Sequence, residues 1–310
     1  MYARLALAAA TAAALAALLP ASAAADGLPA VGVDARPLGL PDGQVVYITK
    51  RSGHDTRLVE KARYGGPVRE RGVRGSFSVP AVAYDGSPSG LSADGRTLVL
   101  ISPRTRFPRK RTTFAAVDAR TLRVRRHIAL DGDFSFDAIS PDGGTMYLIE
   151  YAPRNFGKYA VRAYDMRARR LLPAPVVDPD EADEPMQGMP VTRAPSPDGR
   201  WEYTLYDKGG ASFVHALDTA RRTAVCIDLD DIARAWGATL SLHGNRLDVV
   251  SRRGRVLARI DTTTHELISS RAQPSEAAED ASTSWLPLAL PPALLLVLAA
   301  ALRKRGGQTP

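Results

Sequence analysis

The sequence predicts an all-β chain assembled from repeated four-stranded units. Three observations carry this reading. The stretches "SADGRTLVLI" (92–101), "SPDGGTMYLIEY" (140–151) and "SPDGRWEYTLY" (196–206) write Ser-x-Asp-Gly ahead of an apolar run three times. A second apolar run in each unit ends in apolar-Asp, at Val117-Asp118, Tyr164-Asp165 and Leu217-Asp218, and Ile260-Asp261 stands at the matching point of a degraded fourth copy. The Ser-to-Ser spacings are 48 and 56 residues, the longer one containing the insert "DPDEADEPMQG".

Each unit then justifies its own elements. A short strand precedes each turn, as in "FSFDAIS", "GMPVTRAPS" and "ATLSLHG". Asp-Gly makes the turn, because Gly tolerates positive φ and Asp bonds its local backbone. A second strand, a loop and a third strand follow, and the Asp closing the third strand opens the next tight turn. Met146 and Leu148 alternate with Tyr147 and Ile149, all apolar, so this strand is buried on both faces. Four strands in a repeat of this length are the signature of β-propeller blades. Four such units fit in the chain, preceded by the hairpin "QVVYITKRSGHDTRLVEKA". The expectation is a small β-propeller of about five four-stranded blades over residues 43–270, the first blade incomplete. An open arc of blades whose edges need a partner is the alternative.

The ends of the chain lie outside this repeat. Arg4, an Ala/Leu run from Leu5 to Leu19 and "ASAAADG" form a Sec-type signal peptide, 1–25, with cleavage after Ala25 or alternatively Ala23. Residues 26–42 are an N-terminal extension and 271–284 a linker. Trp285 to Leu302 is uncharged and apolar, long enough to span a bilayer, and Arg303, Lys304 and Arg305 follow at once. A transmembrane helix over 285–302 with a cytoplasmic tail, 303–310, is expected. The domain then sits outside the cell membrane, tethered to it by a single pass.

The chain has 310 residues and a formal charge of +8. Arg4 leaves with the leader and the three tail cations lie inside, which halves the charge on the external part. That excludes a nucleic-acid footprint. Cys226, the one cysteine, permits no internal disulfide and reads as a small buried hydrophobe in "TAVCIDL".

The Ser-Pro-Asp-Gly units resemble the blades of WD-like and TolB-type bacterial propellers. The apolar-Asp hairpins resemble those of lactonase-like propellers of the bacterial envelope. The resemblance covers roughly residues 43–270 and implies fold more than activity.

For function, the blade pattern assigns loops to faces. Ser-Pro-Asp-Gly and Asp-started turns lie on one face; loops between second and third strands, and between blades, lie on the other. The second-face loops are "PRTRFPRKR", "APRNFGK", "YDKGG" and "SRRGR". Arg104, Arg106, Arg109, Lys110, Arg111, Arg154, Lys158, Lys208, Arg252 and Arg253 are therefore expected to ring one mouth and capture an anionic envelope ligand, such as a phosphate-bearing polymer or a lipid headgroup. The acidic residues Asp178, Asp180, Glu181, Asp183 and Glu184, with Asp131, Asp133 and Asp137, are considered as Ca²⁺ ligands, but the insert lacks EF-hand spacing and reads as a solvated loop. His215 and His243 are the histidines placed on neighbouring blades, and both follow strand patterns. No nucleophile elbow, phosphate loop or zinc spacing occurs. No cofactor and no metal is assigned. The expectation is a non-catalytic binding module for a protein or an anionic envelope component; the alternative, implied by the resemblance, is a lactonase-like metal-dependent hydrolase with its site in the channel.

Overall fold

Five antiparallel sheets follow one another along the chain, each a simple up-and-down meander. The computed structural model describes residues 36–39, 43–152 and 155–270. The expected leader, linker, apolar segment 285–302 and tail lie outside the described residues. Among the described residues no helix is long and apolar enough to cross a membrane.

Blade 1 contains β1 (Val45–Ser52), β2 (Asp55–Ala62) and β3 (Pro67–Val73); blade 2 contains β4 (Thr97–Ile101), β5 (Arg111–Asp118) and β6 (Arg123–Asp131). Blade 3 is β7 (Phe134–Ile139), β8 (Thr145–Ala152), β9 (Asn155–Asp165) and β10 (Arg170–Val176). Blade 4 is β11 (Met189–Pro195), β12 (Trp201–Asp207), β13 (Ser212–Asp218) and β14 (Thr223–Leu229). Blade 5 is β15 (Thr239–His243), β16 (Arg246–Val250), β17 (Val256–Asp261) and β18 (Leu267–Ser270). The two three-stranded sheets each gain a reduced inner strand through single bridges, Leu38 to Tyr47 in blade 1 and Leu91 to Leu98 in blade 2. The first blade is thus fuller than its hairpin suggested. Its β3, "PVRERGV", is exposed almost throughout and carries no apolar pattern to reveal it.

The repeated motif is a turn device in all three copies. The hydroxyls of Ser92, Ser140 and Ser196 donate to Asp94, Asp142 and Asp198 at 2.6, 2.6 and 2.5 Å. The same serine oxygens accept the N–H of Thr97, Thr145 and Trp201, which open the next strand, at 2.9, 2.9 and 2.8 Å. Gly143 sits at φ 70°, and a Cβ there would meet the Thr97 hydroxyl of the neighbouring blade at 2.5 Å. The Asp-started turns repeat as faithfully. Asp118, Asp165, Asp218 and Asp261 each accept two backbone N–H groups just downstream. Four residues past each Asp, a non-glycine residue takes the left-handed conformation: Leu122, Arg169, Arg222 and His265, at φ 56 to 63°.

Burial on both strand faces builds the core between blades. Leu58 and Tyr47 meet Leu98 and Leu100 between blades 1 and 2. Met146 and Leu148 pack on Ile101 and Phe114 of blade 2, while Tyr147 and Ile149 pack on Tyr206 and Phe213 of blade 4. Tyr203 and Leu205 meet Leu247 and Val249 of blade 5. These four clusters join successive blades; among the described residues none joins blade 5 back to blade 1. The inner strand of blade 5, β15, is correspondingly half-exposed.

Blade 2 departs from the repeat in one way that shapes the centre. Its inner strand is split: Ser78 pairs with Ile101 and Leu91 with Leu98, and the chain between them makes a hairpin closed by Ala81 and Pro88. The hairpin tip docks on the inner strand of blade 4, where Tyr84 and Asp85 donate their N–H groups to the carbonyls of Pro190 and Val191 at 2.9 and 3.2 Å. The return leg needs glycine. Gly90 lies at φ +118°, and its absent Cβ would fall 2.6 Å from the Val99 carbonyl oxygen.

Candidate anion-binding face

The loop between β4 and β5 carries the densest run of cations, and the structure divides them into two groups. Arg104 and Arg109 are buried, at 7% and 9% exposure. Asp133, at the entry to β7, holds both. Arg104 donates to its carboxylate from Nε at 3.0 Å and Nη2 at 2.6 Å. The Arg109 N–H donates to the other oxygen at 2.8 Å. Arg104 also donates to the Ser135 hydroxyl at 2.9 Å and lies over the rings of Phe107 and Tyr151, about 5 Å from each centroid. Arg109 donates to the carbonyls of Ser102 and Phe134. Burial, and then the Arg104 charge, lower the Arg109 pKa to about 10. These two arginines are anchors of the loop. The expected place of Arg104 among ligand-facing cations is corrected, since its side chain is turned onto Asp133, whereas Arg109 shares that carboxylate and still borders the cavity of the exposed cations.

Arg106, Lys110 and Arg111 are exposed. With Ser102, Pro103, Thr105 and the buried Arg109 they line a cavity of about 310 Å³ whose lining holds no carboxylate. Asp131 stands 4.0 Å from Arg111, and both side chains are open to solvent. The result is a cationic cup on a loop that is fixed from beneath.

The remaining cations do not join this cup. Lys208 lies over the Phe213 ring and 3.8 Å from Asp228, beside a different cavity. Lys158 is exposed on β9, and Arg252 and Arg253 are exposed on the β16–β17 turn. Arg154 lies outside the described residues. The single ring of ten cations is therefore replaced, among the described residues, by one cup lined by the exposed Arg106, Lys110 and Arg111 and the buried Arg109, with scattered charges on other blades.

The channel has a different chemistry. Leu38, Ser89, Ile139 and Arg193, from the inner strands of blades 1 to 4, line a cavity of about 330 Å³. Arg193 and Asp137 form a buried ion pair there, and Arg193 Nε donates to the Thr204 hydroxyl at 2.8 Å. Glu202 is the one carboxylate in the lining, and burial raises its pKa to about 7. A lactonase-like metal ring needs three or four convergent carboxylate, Asn or His groups, and the described lining offers one. His215 is buried in β13, whereas His243 is exposed at the end of β15 and bonded to the Ser241 hydroxyl at 2.9 Å. Asp133 and Asp137, considered as Ca²⁺ ligands with the acidic insert, serve instead as counter-ions to Arg104, Arg109 and Arg193. No spacing rule pairs residues 29 and 56 positions apart, so no sequence pattern signals these bonds.

No family model matches the chain, and no curated protein matches it. Solved structures do. A hydrazine synthase from Kuenenia stuttgartiensis is 18% identical, with a TM-score of 0.39, over 76% of this chain and 80% of that one. A functionally unknown protein from Desulfotomaculum acetoxidans is 13% identical, with a TM-score of 0.47, over 77% and 68%. TolB from Acinetobacter baumannii is 15% identical, with a TM-score of 0.39, over 76% and 55%. The propeller assignment stands on the consecutive meander sheets and the shared central cavity of this chain itself.

Proposed function

We propose that this protein is a membrane-tethered, extracytoplasmic β-propeller that binds anionic groups of the cell envelope through its β4–β5 loop. One observation carries the reading: Arg106, Lys110 and Arg111 surround a cavity free of carboxylates on a loop locked by two buried arginines. A locked loop loses little entropy on binding, so its exposed cations are preorganised for phosphate or carboxylate oxygens. The tether rests on the apolar segment 285–302 and the cations that follow it; the external address rests on the leader.

The test is binding of the full chain to a phosphate-bearing wall polymer and to vesicles containing an anionic phospholipid. The triple variant Arg106→Ala, Lys110→Ala, Arg111→Ala should lose at least about tenfold in affinity, as expected for three charge-assisted contacts. Equal affinity for wild type and triple variant removes the loop from the function. Tethering is tested by fractionation: the full chain stays with membranes through a high-salt wash, and deletion of 285–310 releases it.

A further inference from the structure

The insert between β10 and β11 returns to the sheet of blade 4. Asp178 organises that return. One of its oxygens accepts the Asp180 N–H at 3.0 Å and starts the 3-10 turn Pro179–Glu181. The other accepts the Cys226 N–H of β14 at 2.7 Å. The turn so fixed brings three donor atoms together. A carboxylate oxygen of Asp178, one of Glu181 and the Cys226 Sγ all lie within 4.8 Å of one another. A single tetrahedral ion bonded at ~2.0–2.3 Å to each ligand holds its ligand atoms about 3.3–3.7 Å apart, so the three donors draw together when it binds.

A second, independent observation points to a ligand at this place. His215 stands directly opposite Cys226 in the β13–β14 register and lines the same cavity as Asp178, Glu181 and Cys226. It is 3% exposed. Among the described residues its imidazole has a ring contact with Tyr206 and no hydrogen-bond partner. The His215 side chain is thus held in the wall of the cavity that the three donors share. Negative charge is in excess around it: Glu184 and Asp228 line the same cavity.

We propose that Asp178, Glu181 and Cys226 bind a divalent transition-metal ion of the zinc type, with the His215 imidazole facing the remaining coordination position. Thiolate, imidazole and carboxylate together suit such an ion better than Ca²⁺ or Mg²⁺, which take oxygen alone. The metal–sulfur bond forms as the Cys226 S–H gives its proton to solvent, with no change of oxidation state. Affinity therefore rises with pH. The site is separate from the β4–β5 loop and stands or falls independently of the anion-binding reading.

The experiment is a titration of the purified full chain with Co²⁺, followed by competition with Zn²⁺. Wild type should bind one equivalent and show thiolate-to-cobalt charge-transfer absorption, which Zn²⁺ abolishes. Cys226→Ser should remove that absorption, and Cys226→Ser, Glu181→Gln and His215→Asn should each weaken Zn²⁺ binding at least about tenfold, while Asp183→Asn, on the exposed side of the insert, binds as wild type does. Glu181→Gln leaves the Asp178 bonds in place, so it reads the site even if a change at Cys226 perturbs folding. Absence of the charge-transfer band in wild type overturns the proposal. So does Zn²⁺ affinity unchanged in both Cys226→Ser and Glu181→Gln.

Discussion

The Thr192 hydroxyl donates a 2.8 Å hydrogen bond to the Asp85 carboxylate, joining residues 107 positions apart. Asp85 is the tip of the hairpin that splits the inner strand of blade 2, and Thr192 lies on the inner strand of blade 4. The bond therefore runs between non-adjacent blades and ties the hairpin into the centre of the propeller. Asp85 also accepts the N–H and hydroxyl of Ser87 at 2.9 and 2.6 Å and pairs with Arg36 at 2.8 Å.

Removal of that carboxylate is the first prediction. Asp85→Ala strands several donors at once and should destabilise the domain by about 1–3 kcal/mol in urea unfolding. Thr192→Val deletes one bond of the set and should cost about 1 kcal/mol or less. Equal, negligible effects would show that the hairpin tip is a passive cover.

The buried anchors of the β4–β5 loop give a second, larger contrast. Asp133→Ala leaves Arg104 and Arg109 buried without their counter-ion and should cost about 3–5 kcal/mol. Lys110→Ala touches an exposed side chain and should stay within about 0.5 kcal/mol. Denaturant midpoints of the two variants measure the difference. Comparable midpoints would contradict the division of this loop into anchors and ligand-facing cations.

Glu202 makes a prediction in pH. Burial raises its pKa from 4.5 to about 7. Between those values the unfolded chain has released a proton that the folded chain still holds, so this residue's contribution falls as pH rises. It is fully present below 4.5 and gone above about 7, a loss of up to about 3 kcal/mol. Glu202→Gln should remove that slope, so the melting temperature of wild type drops relative to the variant as pH goes from 4.5 to 8. Parallel curves would refute the buried, protonated carboxyl.

What the sequence disclosed follows from the range of each interaction. Ser140, Asp142 and Gly143 were readable as a turn because their bonds close within five residues. The alternation of Met146 and Tyr147 was readable because strand periodicity decides which blade each one meets. Asp85 was not readable: "AVAYDGSPSG" looks like any Gly- and Pro-rich loop, and its partner lies on another blade. Arg104 and Arg109 looked identical to Arg106 and Arg111 in "PRTRFPRKR", since only burial against Asp133 separates them. Cys226 read as a small apolar residue, and only the folded insert places Asp178 and Glu181 beside it.

The most direct test of the anion-binding account is the salt dependence of binding to a phosphate-bearing envelope polymer. Affinity of the full chain should fall steeply between low and physiological ionic strength, because the exposed cations of the loop release counter-ions on contact. The triple variant at Arg106, Lys110 and Arg111 should bind weakly with a shallower salt slope. Binding that is insensitive to salt, or a triple variant that keeps the wild-type slope, contradicts the account.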